Sequence, residues 1–404
     1  MGSITKFNAM IEAEDDSTET LTCGVELEFL VASIHRKAQD PDPDITDKLL
    51  YKTERNEPEL TVEKEVRAML LRTLQQLEGV PFRNMGSDRN YQPATIYNHW
   101  RLGSDVTVMK FYDDYIADSS TGGPYTWTNC ELVSPVMDSH NYATKIGDVC
   151  RVLNTVRIHL NDSTGLHVHV GRGNEPFSLL TLKKFVTLYW LTEEAIIKLH
   201  HPSRWRHLHC PLLTKSSVLV VEALDNAEAT RQRFGDNYQM MKDYVPVGKL
   251  TKLQHDQLRL LWNCRNIIDV AELMEVSDVA DDLTSCGRGT VGFQRFLPNG
   301  SSRGNIQTFE WRQMAGSLNA NHINQWVEAC IKFTDFCRLS DEATFKKFVE
   351  NVIERGKHYT GIELLEALGV DTHIFKNMKE VWDRDPDFKN DRSGKHLFFP
   401  IDEL

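Results

Sequence analysis

The sequence predicts an α+β fold. Four short stretches alternate apolar and polar residues as strands do, and long segments with helical periodicity separate them. Gly-rich turns across 285–305 add a third observation. The strand stretches are 23–31, 129–133, 166–170 and 306–314, so far apart that their sheet must be assembled from non-local pairs.

The helices follow in order. The first carries Val62, Val66, Met69, Leu70, Leu74 and Leu77 on one face, with Thr61 as its cap and Gly79 as its stop. The second reads Tyr142, Ile146, Val149, Leu153, Val156 and Leu160. The third spans 180–199 and stops before Pro202. The fourth begins near Asn321 and buries Ile323, Trp326, Val327, Cys330 and Ile331. Residues 35–60, polar and containing Pro41, Pro43 and Pro58, read as a surface excursion. Beyond Leu339 the pattern is helical, then irregular, ending in a charged loop at 383–395. This organisation predicts a tail at 1–19, a main domain at 20–340 and an extension at 341–404 packed on it.

Composition narrows the function. The 404 residues carry a formal net charge of -12 and no block of clustered Lys and Arg, which argues against nucleic-acid binding. An anion such as ATP then needs a local site containing metal. No GxGxxG follows a strand and no GxxxxGK[ST] occurs, so neither a Rossmann site nor a P-loop is supported. The eight cysteines form no CxxC pair and read as reduced, mostly buried thiols. No signal peptide and no membrane-length apolar run is visible, and a cytoplasmic location is expected.

Four constellations carry chemistry. In Gly24-Val25-Glu26-Leu27-Glu28-Phe29, strand alternation turns Val25, Leu27 and Phe29 to the core and Glu26 and Glu28 together to the other side. Paired carboxylates repel unless a cation or proton sits between them, and Mg²⁺ takes oxygen ligands. The alternative is a solvated acidic face. In Gly165-Leu166-His167-Val168-His169-Val170-Gly171 both His share a face, which fits a metal or phosphate site as well as it fits two half-exposed His. In Thr308-Phe309-Glu310-Trp311-Arg312-Gln313, Glu310 and Arg312 share a face. A carboxylate beside a guanidinium suits a site holding metal and phosphate together, and a surface ion pair is the alternative. Glu131, within the apolar run Cys130-Glu131-Leu132-Val133-Ser134-Pro135, is costly unless paired; otherwise it marks an edge strand.

In combination and order, these motifs resemble the glutamine synthetase and glutamate–cysteine ligase superfamily, and more closely its amidoligase branch. Trp100-Arg101-Leu102-Gly103-Ser104-Asp105 also resembles the branch's Trp-to-Asp segment before the glutamate strand. The resemblance covers roughly residues 20–340 and makes that span the catalytic domain. It implies a curved antiparallel sheet forming a funnel flanked by helices. ATP would enter one end with two or three Mg²⁺ or Mn²⁺ ions on its phosphates. A carboxylate substrate would be phosphorylated, and an amine would then attack the acyl phosphate to give an amide.

Carried onto this chain, the resemblance assigns Glu26, His167 and Glu310 to the metal on the transferred phosphate, and Glu28 and Glu131 to a second metal. His169, with Arg172 and Arg312, would contact the nucleotide. Arg312 would stabilise the charge on the moving phosphoryl group. Asp105 would activate the amine or support the metal. Trp311 stands where the superfamily often has a smaller or β-branched residue. The branch's Arg and Asn segment before the Glu-x-Arg strand would be supplied by Arg303, Asn305 or Arg295.

Two further segments invite a role. His200, His201, His207, His209 and Cys210 surround Pro202-Ser203-Arg204-Trp205 without zinc-finger spacing, and a structural or substrate-loop role is expected, with Arg204 a candidate for a substrate carboxylate. Residues 285–289 form a loop that is either a lid or ordinary surface. The rival functions are a metal-dependent amide hydrolase, disfavoured because HxH comes mid-chain after Glu-x-Glu, and a non-catalytic scaffold, disfavoured because every matched ligand is present. Substrate identity and oligomeric state are not readable.

Overall fold

A computed structural model describes residues 20–54, 59–85, 97–108, 125–205, 207, 209–225, 237–276, 288–298 and 306–384. The 1–19 tail, residues 285–287 of the lid segment, Arg303, Asn305 and the end of the charged loop lie outside the described residues.

The strands are β1 (Thr22–His35), β2 (Tyr51–Thr53), β3 (Phe82–Asn84), β4 (Trp100–Gly103), β5 (Thr126–Val133), β6 (Met137–Asp138), β7 (Ile158–His159), β8 (Gly165–Gly171), β9 (Val291–Gly292) and β10 (Thr308–Ala315). Their hydrogen-bonded order is β3-β4-β5-β1-β8-β10-β9, with β2, β6 and β7 also on β1. The principal helices are α1 (Glu59–Leu74), α2 (Tyr142–Leu153), α3 (Leu179–Ile197), α4 (Lys252–Asn263), α5 (Ala320–Leu339) and α6 (Glu342–Arg355). The fold is thus α+β, and each predicted strand is present with slightly different ends.

The chain groups into two compact units. The first holds the described residues of 24–167, 314–326 and 376–384. Here β5 runs antiparallel to β1 from Glu26↔Val133 to Ser33↔Thr126, and β4 runs antiparallel to β5. Residues opposite one another share a face. Two rows therefore cross the three strands: Glu28–Glu131–Gly103 and Glu26–Val133–Arg101. Leu30, Ala32, Ile34, Val108, Tyr125 and Trp127 form a buried cluster in this unit. Helix α1 packs on β2, β3 and β5, burying Val66, Leu70 and Leu74 completely, each worth about 1.5–3 kcal/mol.

Arg157 clasps the polar excursion. Its Nη1 and Nη2 donate to Asp40 at 2.6 and 2.8 Å, Nη1 also donates to Tyr125 Oη at 2.9 Å, and Nη2 donates to the Ile45 carbonyl at 2.8 Å. The guanidinium holds the Asp40 carboxyl below the usual range.

Two helix readings need correction. Thr61 lies inside α1 rather than capping it. Helix α2 ends at Leu153; Val156 bridges to Leu49, and Ile158–His159 pairs with β1 instead of continuing the helix. The alternation Val156, Ile158 satisfies a strand period as well as a helical one, and the free pairing positions at Leu30 and Val31 decide between them.

The second unit holds the described residues of 20–23, 168–313 and 327–375. Helix α3, capped where Ser178 accepts from Thr181 N–H, is buried on nearly all sides. Phe185 stacks on Phe309 at 3.8 Å, and Trp311 meets Phe185, Tyr189 and Phe333 edge-on. The large Trp311 therefore fills an aromatic cluster under β10. Helix α6 and the turn-like helix Gly361–Ala367 pack on α3. The described cysteines are all buried and none is in a disulfide.

Candidate functional site

In the first unit the row geometry converges carboxylates. One oxygen from each of Glu28, Asp105 and Glu131 lies within 4.8 Å of the others. Asp105 is fixed by Thr107, whose N–H and Oγ1 both donate to Oδ1 at 2.6 Å. Glu28 is 3% exposed; its Oε2 accepts from Gly165 N–H at 2.6 Å, while its Oε1 is buried without a hydrogen-bond partner. His167 lies between the two strand carboxylates, Nδ1 3.0 Å from Glu26 and Nε2 3.5 Å from Glu28.

Burial, together with the charges of Glu26, Asp105 and Glu28, pushes the Glu131 carboxyl up to about 9, against the opposing pull of Arg101. Carboxylates crowded this way take up a proton or a cation. The donor set, three converging carboxylates that offer hard oxygens, fits Mg²⁺ or Mn²⁺. Neither bland alternative survives: Glu28 is buried, and Glu131 is on β5, which is flanked by β4 and β1 and is not an edge.

In the second unit β10 presents Glu310, 4% exposed, beside Arg312, 6% exposed. Arg312 Nη1 pairs with Glu310 Oε1, and Arg288 Nη1 stands 3.6 Å from the same oxygen. This is no surface ion pair. Opposite Glu310 on β9 is Gly292, where a Cβ would lie 3.1 Å from Glu310 Oε2. The Arg312 backbone is held on both sides: its N–H donates to Thr290 O at 2.9 Å, and its carbonyl accepts from Arg204 Nη2 at 2.7 Å and Cys210 Sγ at 3.3 Å. One Arg204 N–H is thus committed to β10, from a buried side chain.

His169 Nδ1 lies 3.1 Å from Thr308 Oγ1, which orients the ring. Arg172 turns back to donate to the Pro176 carbonyl. Among the described residues, the 200–210 histidines form no metal-binding group. Sequence reasoning missed Gly292 and Thr290, and met Arg288 and Thr308 only as members of the 285–289 loop and of the Glu-x-Arg motif, without a role. Arg288 and Gly292 lay in the Gly-rich stretch, and the two-residue strand Val291–Gly292 was too short to show alternation.

These features define an α+β protein with a buried carboxylate cluster suited to a hard divalent cation. A protein-family model described as putative amidoligase enzyme matches residues 19–259, more than half of the chain, and the chain belongs to that family. Membership places it among amide-bond ligases. The match takes in Glu26, Glu28, Asp105, Glu131, His167 and His169, whereas Glu310 and Arg312 lie beyond it. No curated protein and no solved structure matches the chain. No helix among the described residues is long and apolar enough to cross a membrane.

Proposed function

We propose that the protein is an ATP- and Mg²⁺-dependent carboxylate–amine ligase. The single observation that carries the reading is the convergence of the Glu28, Asp105 and Glu131 carboxylates. That set would hold one cation. His167, between Glu26 and Glu28, would orient both carboxylates. The cation supplies charge neutralisation on the nucleotide phosphates.

The chemistry has two steps. A substrate carboxylate oxygen attacks the γ-phosphorus and ADP leaves. The amine nitrogen then attacks the acyl carbon, phosphate leaves, and the nitrogen loses a proton. Arg312, already fixed beside Glu310, stabilises charge on the transferring phosphoryl oxygens, aided by Arg288. Arg172 stands at the end of β8 as a nucleotide contact. Asp105, on the loop after β4, would support the cation and take the amine proton; its proximity to Glu28 and Glu131 supports the first role. No nucleophilic side chain is required. The substrates are a carboxylic acid and an amine, on a small molecule or peptide, and the reaction belongs to the ATP-containing cytoplasm.

Calorimetry of ATP binding with Mg²⁺ and with chelator tests the reading. Binding that requires Mg²⁺, followed by amine-dependent ADP release, is expected. Absence of binding in both conditions would overturn it in favour of a metal-dependent hydrolase or a scaffold.

A further inference from the structure

Glu193 is a buried carboxylate outside the site described above. It lies on α3, fully enclosed, and among the described residues the groups that donate to it are neutral. Oε1 accepts from Leu213 N–H at 2.7 Å and from the Thr290 hydroxyl. Oε2 accepts from Thr214 N–H at 2.8 Å and from Thr214 Oγ1 at 2.6 Å. Burying a carboxylate costs several kcal/mol unless it is well hydrogen-bonded, and these donors offset that cost. Such an arrangement asks what it holds in place.

Both segments bound by Glu193 touch Arg312. Thr290 accepts the Arg312 N–H through its carbonyl and donates its own N–H to Pro211 O at 3.0 Å. On the other side, Cys210 Sγ meets the Arg312 carbonyl and the His209 carbonyl accepts from Arg312 Nη2 at 3.5 Å. The two segments are pressed together: a Cβ on Gly289 would lie 2.5 Å from Leu213 Cδ2 and 3.0 Å from Pro211 O. A shift of one segment therefore moves the other, and Arg312 moves with them.

We propose that Glu193 is a positioning residue that sets the Arg312 guanidinium beside Glu310 by tying Thr290 to the Leu213–Thr214 turn. Its effect on the reaction rests on the proposed nucleotide chemistry; its effect on Arg312 does not. Misplacing a charge-stabilising group by a fraction of an ångström costs rate without costing ground-state binding.

The test uses the full-length protein and the variants E193Q and T290V, the latter removing one hydroxyl donor. Arginine side-chain ¹⁵N NMR reads the Arg312 signal, assigned by its loss in R312K. A shifted or broadened Arg312 signal in E193Q and in T290V is expected. In Mg²⁺-ATP turnover, E193Q is expected to lose about tenfold or more in kcat with KM for ATP little changed, and E193Q/R312K to be no slower than R312K alone. Arg312 signals identical to wild type in both variants would overturn the proposal, as would losses that multiply in the double variant. If E193Q does not fold, T290V carries both readouts. If the wild type forms no ADP, the nucleotide reading falls and the NMR comparison still decides the positioning claim.

Discussion

Glu131→Gln should make the metal-free protein more stable. The Glu131 carboxyl is pushed up to about 9 by burial and by Glu26, Asp105 and Glu28, from an ordinary value of 4.5. Folding at pH 7 thus takes up a proton that the unfolded chain does not hold, at a cost of about 3 kcal/mol. The sign follows from the raised value. Between about 4.5 and 9 the folded state binds more protons than the unfolded state, so stability falls as pH rises through that window. A glutamine cannot ionise and removes both the cost and the slope. Urea denaturation in chelator across pH 6–9 measures this: E131Q should exceed wild type by about 3 kcal/mol at pH 7. Its dependence on pH should also be flatter. Mg²⁺ should raise the wild-type midpoint and move that of E131Q much less, because a cation replaces the missing proton only where the carboxylate is present. An E131Q midpoint at or below that of wild type in chelator, with the pH slope unchanged, would refute the crowding on which the argument depends.

Other outcomes follow from the same geometry. Mg²⁺ affinity should rise with pH between 7 and 9, because the cation displaces the Glu131 proton, and calorimetry in buffers of different ionisation enthalpy should count about one proton released. Gly292→Ala should press on the Glu310 carboxylate and slow ATP turnover roughly tenfold, with the melting temperature little changed, since no positive φ is lost there. Arg204→Met removes the donor to the Arg312 carbonyl and should cost about 1–3 kcal/mol in urea denaturation. Cys130 and Cys150, whose thiols burial pushes up to about 12, should resist maleimide at pH 8 in the folded protein and react in urea, as mapped by mass spectrometry.

Much of the carboxylate cluster was legible because strand alternation is strict. Glu26 and Glu28 had to share a face, and so did His167 with His169 and Glu310 with Arg312. What alternation cannot give is which strands are neighbours. The register that sets Glu28 beside Glu131 and Gly103 depends on pairs about 100 residues apart for β1 with β5 and about 30 apart for β4 with β5. Asp105 entered by its resemblance to a motif, and its place in the cluster became physical once β4 was seen against β5. That His167 meets Glu26 and Glu28 while His169 meets Thr308 was invisible for the same reason, since both have the same periodicity and the same flanking glycines. Arg204 illustrates a different limit: an arginine among histidines invites a substrate role, and the carbonyl that claims it lies 108 residues away.

Helix α3 has nineteen residues, sixteen of them buried. At 1.5 Å per residue it is about 28 Å long, close to the thickness of a bilayer's hydrocarbon core. What separates it from a segment that insertion machinery would accept is charge. Lys183, Lys184 and Glu193 lie inside it, each tied to backbone: Lys183 to Trp262 O, Lys184 to Ser340 O and Glu193 to the N–H groups of Leu213 and Thr214. Each charge near the centre of such a segment costs an estimated ~2.5–3.5 kcal/mol on insertion. The ions that fasten this helix within the folded protein thus also make it a poor membrane segment.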